Sequence, residues 1–196
     1  TQRAIGIYPE TKHPSYHRAL GLSLEDGLLA MLAKEGWSEK TSPVIVQSFE
    51  PSSLKYIRAH SAIRLMQLIG QPDETPYDFV RAQDPRSYRA LLSDGLEEIA
   101  SYANALGLPK NILMETVAPA RASPKILIAR AHAANLEIHV YTFRDETQFF
   151  VSGFADNASD EYWSYFALGI DGVFSDFPDT AIAARKSFAA ETKSRA

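Results

Sequence analysis

The sequence contains no cysteine among its 196 residues. Disulfide bonds and thiolate metal sites are therefore excluded. The absence of cysteine does not determine the cellular compartment, because cytosolic and exported proteins can both lack it.

The sequence also lacks a basic excess and a long hydrophobic run. Twenty Lys and Arg residues oppose 24 Asp and Glu residues, so the formal charge is −4, and no basic stripe indicates a nucleic-acid partner. No apolar run approaches the roughly 18 residues of a transmembrane segment. The composition, 45% hydrophobic and 22% charged, is that of an ordinary globular protein. We therefore expect one domain over residues 1–196.

The N-terminus carries neither a methionine nor a signal peptide. The chain starts at Thr1 and is inside an apolar segment by Ile5. A processed or truncated chain would also show no signal peptide. We expect an upstream segment to be missing from this sequence.

Apolar strands alternate with amphipathic helices along the chain. The strands are expected at residues 5–10, 44–49, 63–69, near 102–106, at 137–143 and at 172–176, with another short one at 112–114. The helices are expected at residues 23–36, 51–60, 91–104, 123–135, 162–168 and from 178, with a frayed tail from 189. Residues 71–86 contain three prolines and are interpreted as a long loop. This alternation is typical of βα units around a parallel sheet.

The strand count leaves two architectures open. Five or six strands are too few for a closed barrel, which has eight strands and typically about 250 residues. The chain is therefore either an open sheet or a TIM (β/α)8-type barrel that lacks its first two βα units. The abrupt start favours the barrel, with this chain as strands 3 to 8.

A charged pair ends the first of these strands, which its apolar residues predict to be buried. Side chains alternate along a strand, so Glu10 and Lys12 share one face, and the carboxyl ends of parallel strands are where α/β folds keep their chemistry. An exposed ion pair without function is the alternative. The other strand ends present polar and aromatic side chains, namely Gln47, Phe49, Tyr141, Phe143, Ser175 and Asp176. A carboxylate, an ammonium and aromatic rings on one rim suit an anionic substrate held with a hard cation.

Four motifs resemble those of the glycerophosphodiester phosphodiesterase family, particularly its exported bacterial type. Residues 8–14, Tyr-Pro-Glu-Thr-Lys-His-Pro, are similar to the family's Tyr-Pro-Glu-Ile-Lys-x-Pro stretch. Residues 44–49 resemble its next strand, and residues 139–144 its penultimate one. Residues 168–179 resemble its closing motif, Gly-x-Asp-Gly followed by Ser-Asp-x-Pro, without a gap. The four motifs occur in family order and span nearly the whole chain.

The resemblance implies a TIM barrel that hydrolyses glycerophosphodiesters to glycerol 3-phosphate and an alcohol, with a divalent metal, Ca²⁺ or Mg²⁺. It implies that Glu10 is a metal ligand and that Lys12 contacts the phosphate, which makes both catalytic residues. Tyr141 stands where the family often has Trp in the substrate pocket, and Phe49 is a further substrate-binding candidate. The periplasm or the exterior is the implied location. The oligomeric state remains open.

The catalytic histidines that the resemblance implies are missing from this sequence. The family's His-Arg-Gly motif, Glu-x-Asp metal pair and second catalytic His lie upstream of the Glu10 stretch, and no His-Arg-Gly occurs here. We therefore expect the chain to supply part of an active site. The alternative is a catalytically incomplete fragment with weak phosphate or metal binding that needs a missing segment or a second chain to complete the barrel. A sphingomyelinase-D-like relative fits the motifs less well.

Overall fold

The computed structural model describes residues 5–114, 123–151 and 157–194. The chain forms two compact units. The first comprises Thr1–Gly107 with Ala134–Leu136, and the second comprises Leu108–Ala133 with Glu137–Ala196. The prediction of one domain over residues 1–196 stays a prediction.

The first unit alternates helices with short parallel strands. Its elements are α1 (Pro14–Ala19), α2 (Leu24–Lys34), β1 (Ile45–Ser48), α3 (Pro51–His60), β2 (Arg64–Leu68), α4 (Tyr77–Arg81), α5 (Tyr88–Asp94), α6 (Leu96–Tyr102) and β3 (Ala105–Pro109), whose last two residues are assigned to the second unit. β1 pairs with β2, with Val46 opposite Leu65, and β2 pairs with β3, with Met66 opposite Ala105. Both pairings are parallel, as the βα alternation predicts.

The opening segment lies beside β1 in parallel register. Isolated bridges join Ile7 to Val44 and Glu10 to Gln47, and the backbone amide of Ile45 donates to the carbonyl oxygen of Ile7 over 3.1 Å. The predicted strand is therefore present as paired backbone. Its predicted burial is wrong, because Ile5 is 75% exposed and Ile7 is 45% exposed.

The second unit contains the remaining elements. They are α7 (Lys110–Met114), α8 (Pro124–Ala133), β4 (Glu137–Phe143), a 3₁₀ turn (Thr147–Phe149), α9 (Ala158–Leu168), β5 (Gly172–Ser175) and α10 (Pro178–Ser194). β4 and β5 are parallel, with Val140 opposite Val173. The ring of Phe143 stacks on Tyr162 at 4.5 Å between centroids and meets Tyr165 edge-on at 5.0 Å. These three buried rings form the core of this unit.

Several sequence-based assignments are corrected. The strand expected near 102–106 is β3 and begins at Ala105. The expected loop at 71–86 contains α4, because Pro76 precedes a buried Asp78 and Phe79 that start a helical turn. The expected helix at 91–104 is two helices that meet at Gly95. The expected strand at 112–114 is part of α7, and the terminal helix continues to Ser194. Within the described ranges, no helix is long and apolar enough to cross a membrane.

Candidate active site

Glu10 and Lys12 are both exposed at the carboxyl end of β1. Thr11 between them is buried, its hydroxyl lies 3.1 Å from that of Ser53, and its carbonyl oxygen accepts the Ser48 hydroxyl over 3.0 Å. Because side chains alternate in extended backbone, anchoring Thr11 inward turns its two neighbours to the opposite side. In the described ranges, neither Glu10 nor Lys12 makes a side-chain hydrogen bond or an ion pair. Both charges are therefore available to a ligand.

A cavity of about 240 Å³ lies beside Lys12. It is lined by residues of three loops and by the first residues of three helices, namely Thr11, Lys12, His13, Pro14, Phe49, Glu50, Gly70, Glu74, Tyr77 and Tyr88. The structure thus brings Lys12 and Phe49, two of the predicted site residues, to one cavity. Glu10 is not among the residues that line this cavity. It lies nearby in the opening segment, where an isolated β-bridge pairs it with Gln47 of β1.

Two aromatic rings form a fixed wall of this cavity. Phe49 and Tyr88 meet edge-on, with centroids 6.4 Å apart, and the Tyr88 hydroxyl donates to the Phe49 carbonyl oxygen over 3.2 Å. Burial raises the pKa of the Tyr88 hydroxyl, which therefore stays protonated as a donor. A Cβ built on Gly70 would lie 2.7 Å from the Tyr88 ring. Glycine at this position therefore lets the ring approach the backbone closely.

Replacing Gly70 with alanine is expected to lower the free energy of unfolding by about 1–3 kcal/mol, because the Tyr88 ring must move away from its hydrogen bond. Urea unfolding measures the change. Gly27→Ala is the matched control: nothing lies within 4 Å of its added Cβ, and in the interior of α2 the substitution is expected to stabilise by up to about 1 kcal/mol. Equal unfolding midpoints for Gly70→Ala and the wild type would contradict the tight contact.

Glu50 is a buried carboxylate in the same cavity that sequence reasoning missed. Its side chain is 3% exposed, and its Oε2 atom accepts the backbone amide of Ser15 over 3.1 Å. Burial raises the pKa of Glu50, and the hydrogen bonds from Ser15 partly offset this effect. Its position in the sequence could have indicated it, because Glu50 directly follows the predicted strand end at Phe49 and directly precedes Pro51, which starts a helix.

Tyr141 belongs to the second unit and lines a different cavity, of about 440 Å³. Its ring meets Phe174 edge-on at 6.4 Å. The other lining residues include Lys110, Asn111, Gln148, Phe149 and Phe150. Tyr141 therefore lines a cavity, and its place in the substrate pocket stays a prediction.

A buried ion pair supports this second cavity. The ammonium of Lys110 lies 2.8 Å and 3.0 Å from the two carboxylate oxygens of Glu161, and the side chains are 8% and 1% exposed. Glu161 also accepts the Val151 amide over 2.8 Å, and the Tyr165 hydroxyl donates to the Lys110 carbonyl oxygen over 2.6 Å. Sequence reasoning missed this pair, because Lys110 directly follows a strand that was placed three residues too early.

The aspartates of the closing motif have structural partners. Asp171 accepts the backbone amide of Ile138 over 2.8 Å and lies 2.8 Å from the ring of His132. Asp176 pairs with Arg144 at 3.2 Å. Both carboxylates therefore hold neighbouring backbone or side-chain groups in place.

The described residues do not by themselves make up a divalent-metal centre. Ca²⁺ takes six to eight oxygen ligands and Mg²⁺ six, whereas the single carboxylate of Glu10 supplies at most two oxygens. Over residues 5–114, 123–151 and 157–194, no group of three or more His, Asp or Glu could hold a metal ion. A cation bound at Glu10 would need ligands from outside these residues.

The chain is similar in sequence to three curated enzymes, each named glycerophosphodiester phosphodiesterase. It is 31% identical over 189 residues to a protein of Arabidopsis thaliana, covering 89% of this chain and 50% of that protein. It is 30% identical over 203 residues to one of Haemophilus influenzae (93% and 53%) and 29% identical over 201 residues to one of Treponema pallidum (93% and 54%). The chain thus spans about half the length of the curated relatives it matches.

Solved structures share the α/β fold of parallel strands. One described as a putative glycerophosphoryl diester phosphodiesterase from Silicibacter pomeroyi matches with a TM-score of 0.62 and 14% identity, over 92% of this chain and 50% of that one. A glycerophosphodiester phosphodiesterase from Parabacteroides distasonis matches with a TM-score of 0.56 and 12% identity, over 96% and 59%. The assignment of this chain to strands 3 to 8 of a barrel stays a prediction.

The sequence model of the glycerophosphoryl diester phosphodiesterase family matches residues 1–180, which include all four motifs up to the Asp-Phe-Pro ending. This match covers far more than half of the chain. The chain therefore belongs to the glycerophosphoryl diester phosphodiesterase family.

Proposed function

We propose that the protein containing this chain hydrolyses glycerophosphodiesters to glycerol 3-phosphate and an alcohol. The observation that supports this most is the pair of exposed charges Glu10 and Lys12 at the end of β1, which have no ion-pair partner among the described residues and lie within the part of the chain that matches the family. A phosphodiester is an anion, and an unpaired ammonium beside a small cavity suits its oxygens.

The proposed roles follow from charge and position. Lys12 binds the phosphate and stabilises the negative charge that develops on it during hydrolysis. Phe49 packs against the substrate in the cavity it shares with Lys12. Tyr141 is a substrate contact by resemblance alone. Glu10 is one oxygen ligand of a divalent cation, Ca²⁺ or Mg²⁺, because a bare carboxylate so near the phosphate site would repel the substrate.

The proton-transfer groups are proposed to lie outside the described residues. The leaving alkoxide needs an acid whose pKa is suited to the operating pH, and the described residues hold no histidine that pairs with Glu10 or Lys12. This chain then supplies the phosphate contact and one metal ligand of a larger site. The second candidate is a catalytically incomplete barrel fragment with weak phosphate or metal binding, which the lack of a described metal cluster favours.

The cellular location is proposed by resemblance only. Similarity to the exported bacterial type favours the periplasm or the exterior. Fractionation of the native host, followed by immunoblotting, tests this, and recovery of the protein in the cytosolic fraction alone would contradict it.

Phosphorus NMR of the reaction products tests the proposed function. The encoded protein is incubated with glycerophosphoethanolamine and Mg²⁺ or Ca²⁺, with a parallel sample in excess chelator. The expected product is glycerol 3-phosphate, formed only when the metal is present. Phosphoethanolamine as the phosphorylated product would show that the other ester bond breaks, and no turnover with either metal would favour the fragment reading.

A further inference from the structure

We propose that Gln67 is a positioning residue of the proposed site, although it does not line the cavity beside Lys12. Gln67 lies in β2, directly opposite Ser48, the last residue of β1. Its side-chain amide holds the end of β1, and through β1 it holds both Phe49 and the segment that carries Lys12. This inference rests on the proposed function, because it adds a residue to the site that binds the phosphodiester.

Gln67 is a polar side chain among apolar neighbours. It is 0% exposed, as are Leu65 and Met66 before it, and Leu68 after it is also buried. An amide buried without hydrogen bonds costs roughly 1–3 kcal/mol in proteins, so an apolar side chain would suit this position better if packing were its only role. The presence of an amide here is therefore explained by the groups that it binds.

The amide nitrogen of Gln67 contacts three carbonyl oxygens at the ends of β1 and β2. It lies 3.1 Å from that of Phe49, 3.4 Å from that of Ser48 and 2.9 Å from that of Leu68. An amide nitrogen carries two hydrogens, which these three acceptors share. The Phe49 carbonyl oxygen also accepts the Tyr88 hydroxyl over 3.2 Å, so side chains from two other elements fix the backbone of Phe49.

Tyr102 sets the orientation of this amide. Its hydroxyl, at the end of α6, donates to Oε1 of Gln67 over 3.0 Å. Burial raises the pKa of the Tyr102 hydroxyl, which therefore stays protonated as a donor. In the reversed orientation, Oε1 would face the strand-end carbonyl oxygens with no hydrogen between them. The contact with Tyr102 therefore keeps the donor side of the amide turned to β1.

The end of β1 in turn holds the backbone that leads into Lys12. The Ser48 hydroxyl donates to the carbonyl oxygen of Thr11 over 3.0 Å. This carbonyl belongs to the peptide bond between Thr11 and Lys12, so a shift of Ser48 is passed on to that peptide. A misplacement of about 1 Å caused by a distant substitution can lower a reaction rate by about 100-fold. Gln67 thus acts on Lys12 and on Phe49 through one strand end.

Steady-state kinetics of Gln67→Met in the encoded protein test this role. Methionine has a similar volume and no amide, so the core stays filled while the strand end loses its donor. A variant that is only partly folded has fewer active molecules, which lowers the apparent kcat and leaves KM unchanged. We expect kcat/KM for glycerophosphoethanolamine to fall by about 10-fold to 100-fold, with KM rising by at least about threefold because Phe49 is displaced.

Asn104→Leu is the matched control. Asn104 carries another side-chain amide of the same unit, and its Oδ1 atom accepts the backbone amide of Leu65 over 3.0 Å near the start of β2, away from the strand end that Gln67 holds. Its variant is expected to lose stability in urea unfolding and to keep the wild-type KM. An equal rise of KM in Gln67→Met and Asn104→Leu would assign the effect to general loosening of the unit and overturn the positioning role.

Backbone NMR tests the same role without any turnover. The amide chemical shifts and heteronuclear ¹⁵N NOE values of Phe49 and Lys12 report the environment of this backbone and its order on the picosecond-to-nanosecond timescale. Both quantities are expected to change in Gln67→Met and to stay at their wild-type values in Asn104→Leu. Tyr102→Phe, which loses only the hydroxyl that contacts Gln67, is expected to change them in the same direction by a smaller amount.

The outcomes separate this role from the proposed function. A wild-type KM, or unchanged NMR signals of Phe49 and Lys12, in Gln67→Met overturns the positioning role and leaves the proposed function standing. If Gln67→Met does not fold, unchanged signals in Tyr102→Phe overturn it instead. Changed signals in a protein that hydrolyses no glycerophosphodiester support the hold of Gln67 on the strand end and overturn the proposed function.

Discussion

Replacing Lys12 with alanine is expected to lower kcat/KM for glycerophosphodiester hydrolysis by roughly 100-fold, the typical cost of removing one group that stabilises charge in a transition state. The fold should be unaffected, because the Lys12 side chain is exposed and contacts no described residue by hydrogen bond or ion pair. Release of glycerol 3-phosphate, followed with a coupled dehydrogenase, measures the rate.

Lys40→Ala is the control for this variant. Lys40 is also exposed, lies in a turn before β1, and makes no ion pair in the described part of the chain. Both variants lose one positive charge, so a general effect of net charge on an anionic substrate would appear in both. Equal, small losses in the two variants would remove Lys12 from the proposed site.

Replacing Lys110 with methionine is expected to destabilise the protein by about 3–5 kcal/mol, the cost of leaving one member of a buried ion pair without its partner. Glu161 would keep only the Val151 amide in a site where its side chain is 1% exposed. Denaturant unfolding measures the loss of stability. The near-ultraviolet circular dichroism signal of Phe143, Tyr162 and Tyr165 reports on unfolding of the second unit.

Two further variants test the origin of this effect. Lys55→Met breaks an exposed pair with Glu98 and is expected to cost less than about 1 kcal/mol. The double variant Lys110→Met with Glu161→Leu removes both charges and is expected to recover part of the lost stability. A Lys110→Met variant as stable as Lys55→Met would show that the buried pair contributes nothing specific.

Local signals predicted much of the secondary structure. Ser23 caps α2 by accepting the Asp26 amide over 3.2 Å, and Gly169 ends α9 at a φ of 93°, both as their residue types indicate. β4 spans residues 137–143, the range that its apolar run predicts. These elements were predictable because capping residues and apolar runs act within a few positions of the element they delimit.

The errors came from tertiary contacts. Nothing in the sequence around Pro76 shows that Asp78 and Phe79 are buried, and this burial is what makes α4 a helix rather than a loop. Ile5 and Ile7 look like core residues in the sequence, but no described element covers them. Hydrophobicity predicts which side chains benefit from burial, and the neighbouring elements decide which are buried.

The candidate site was predictable where a motif marked it. Glu10 and Lys12 stand two positions apart in one short motif, and their exposure follows from the inward anchoring of Thr11 between them. Glu50 and Tyr88 were missed, because they meet only when the ends of β1 and α5 come together at one cavity. The pair of Lys110 and Glu161 was missed because 51 positions separate its members.

The most direct test of the account is the effect of Glu10→Gln on the rate of hydrolysis. Whether the rate falls or rises depends on the role of this carboxylate. A cation ligand should be essential, so the variant is expected to lose metal-dependent release of glycerol 3-phosphate to background while unfolding at the same denaturant concentration as the wild type. A surface carboxylate with no role in the site would only repel an anionic substrate, so its removal would leave turnover unchanged or make it faster. Unchanged or faster turnover in Glu10→Gln, with Glu35→Gln as the exposed control, would contradict the assignment of the site to this segment.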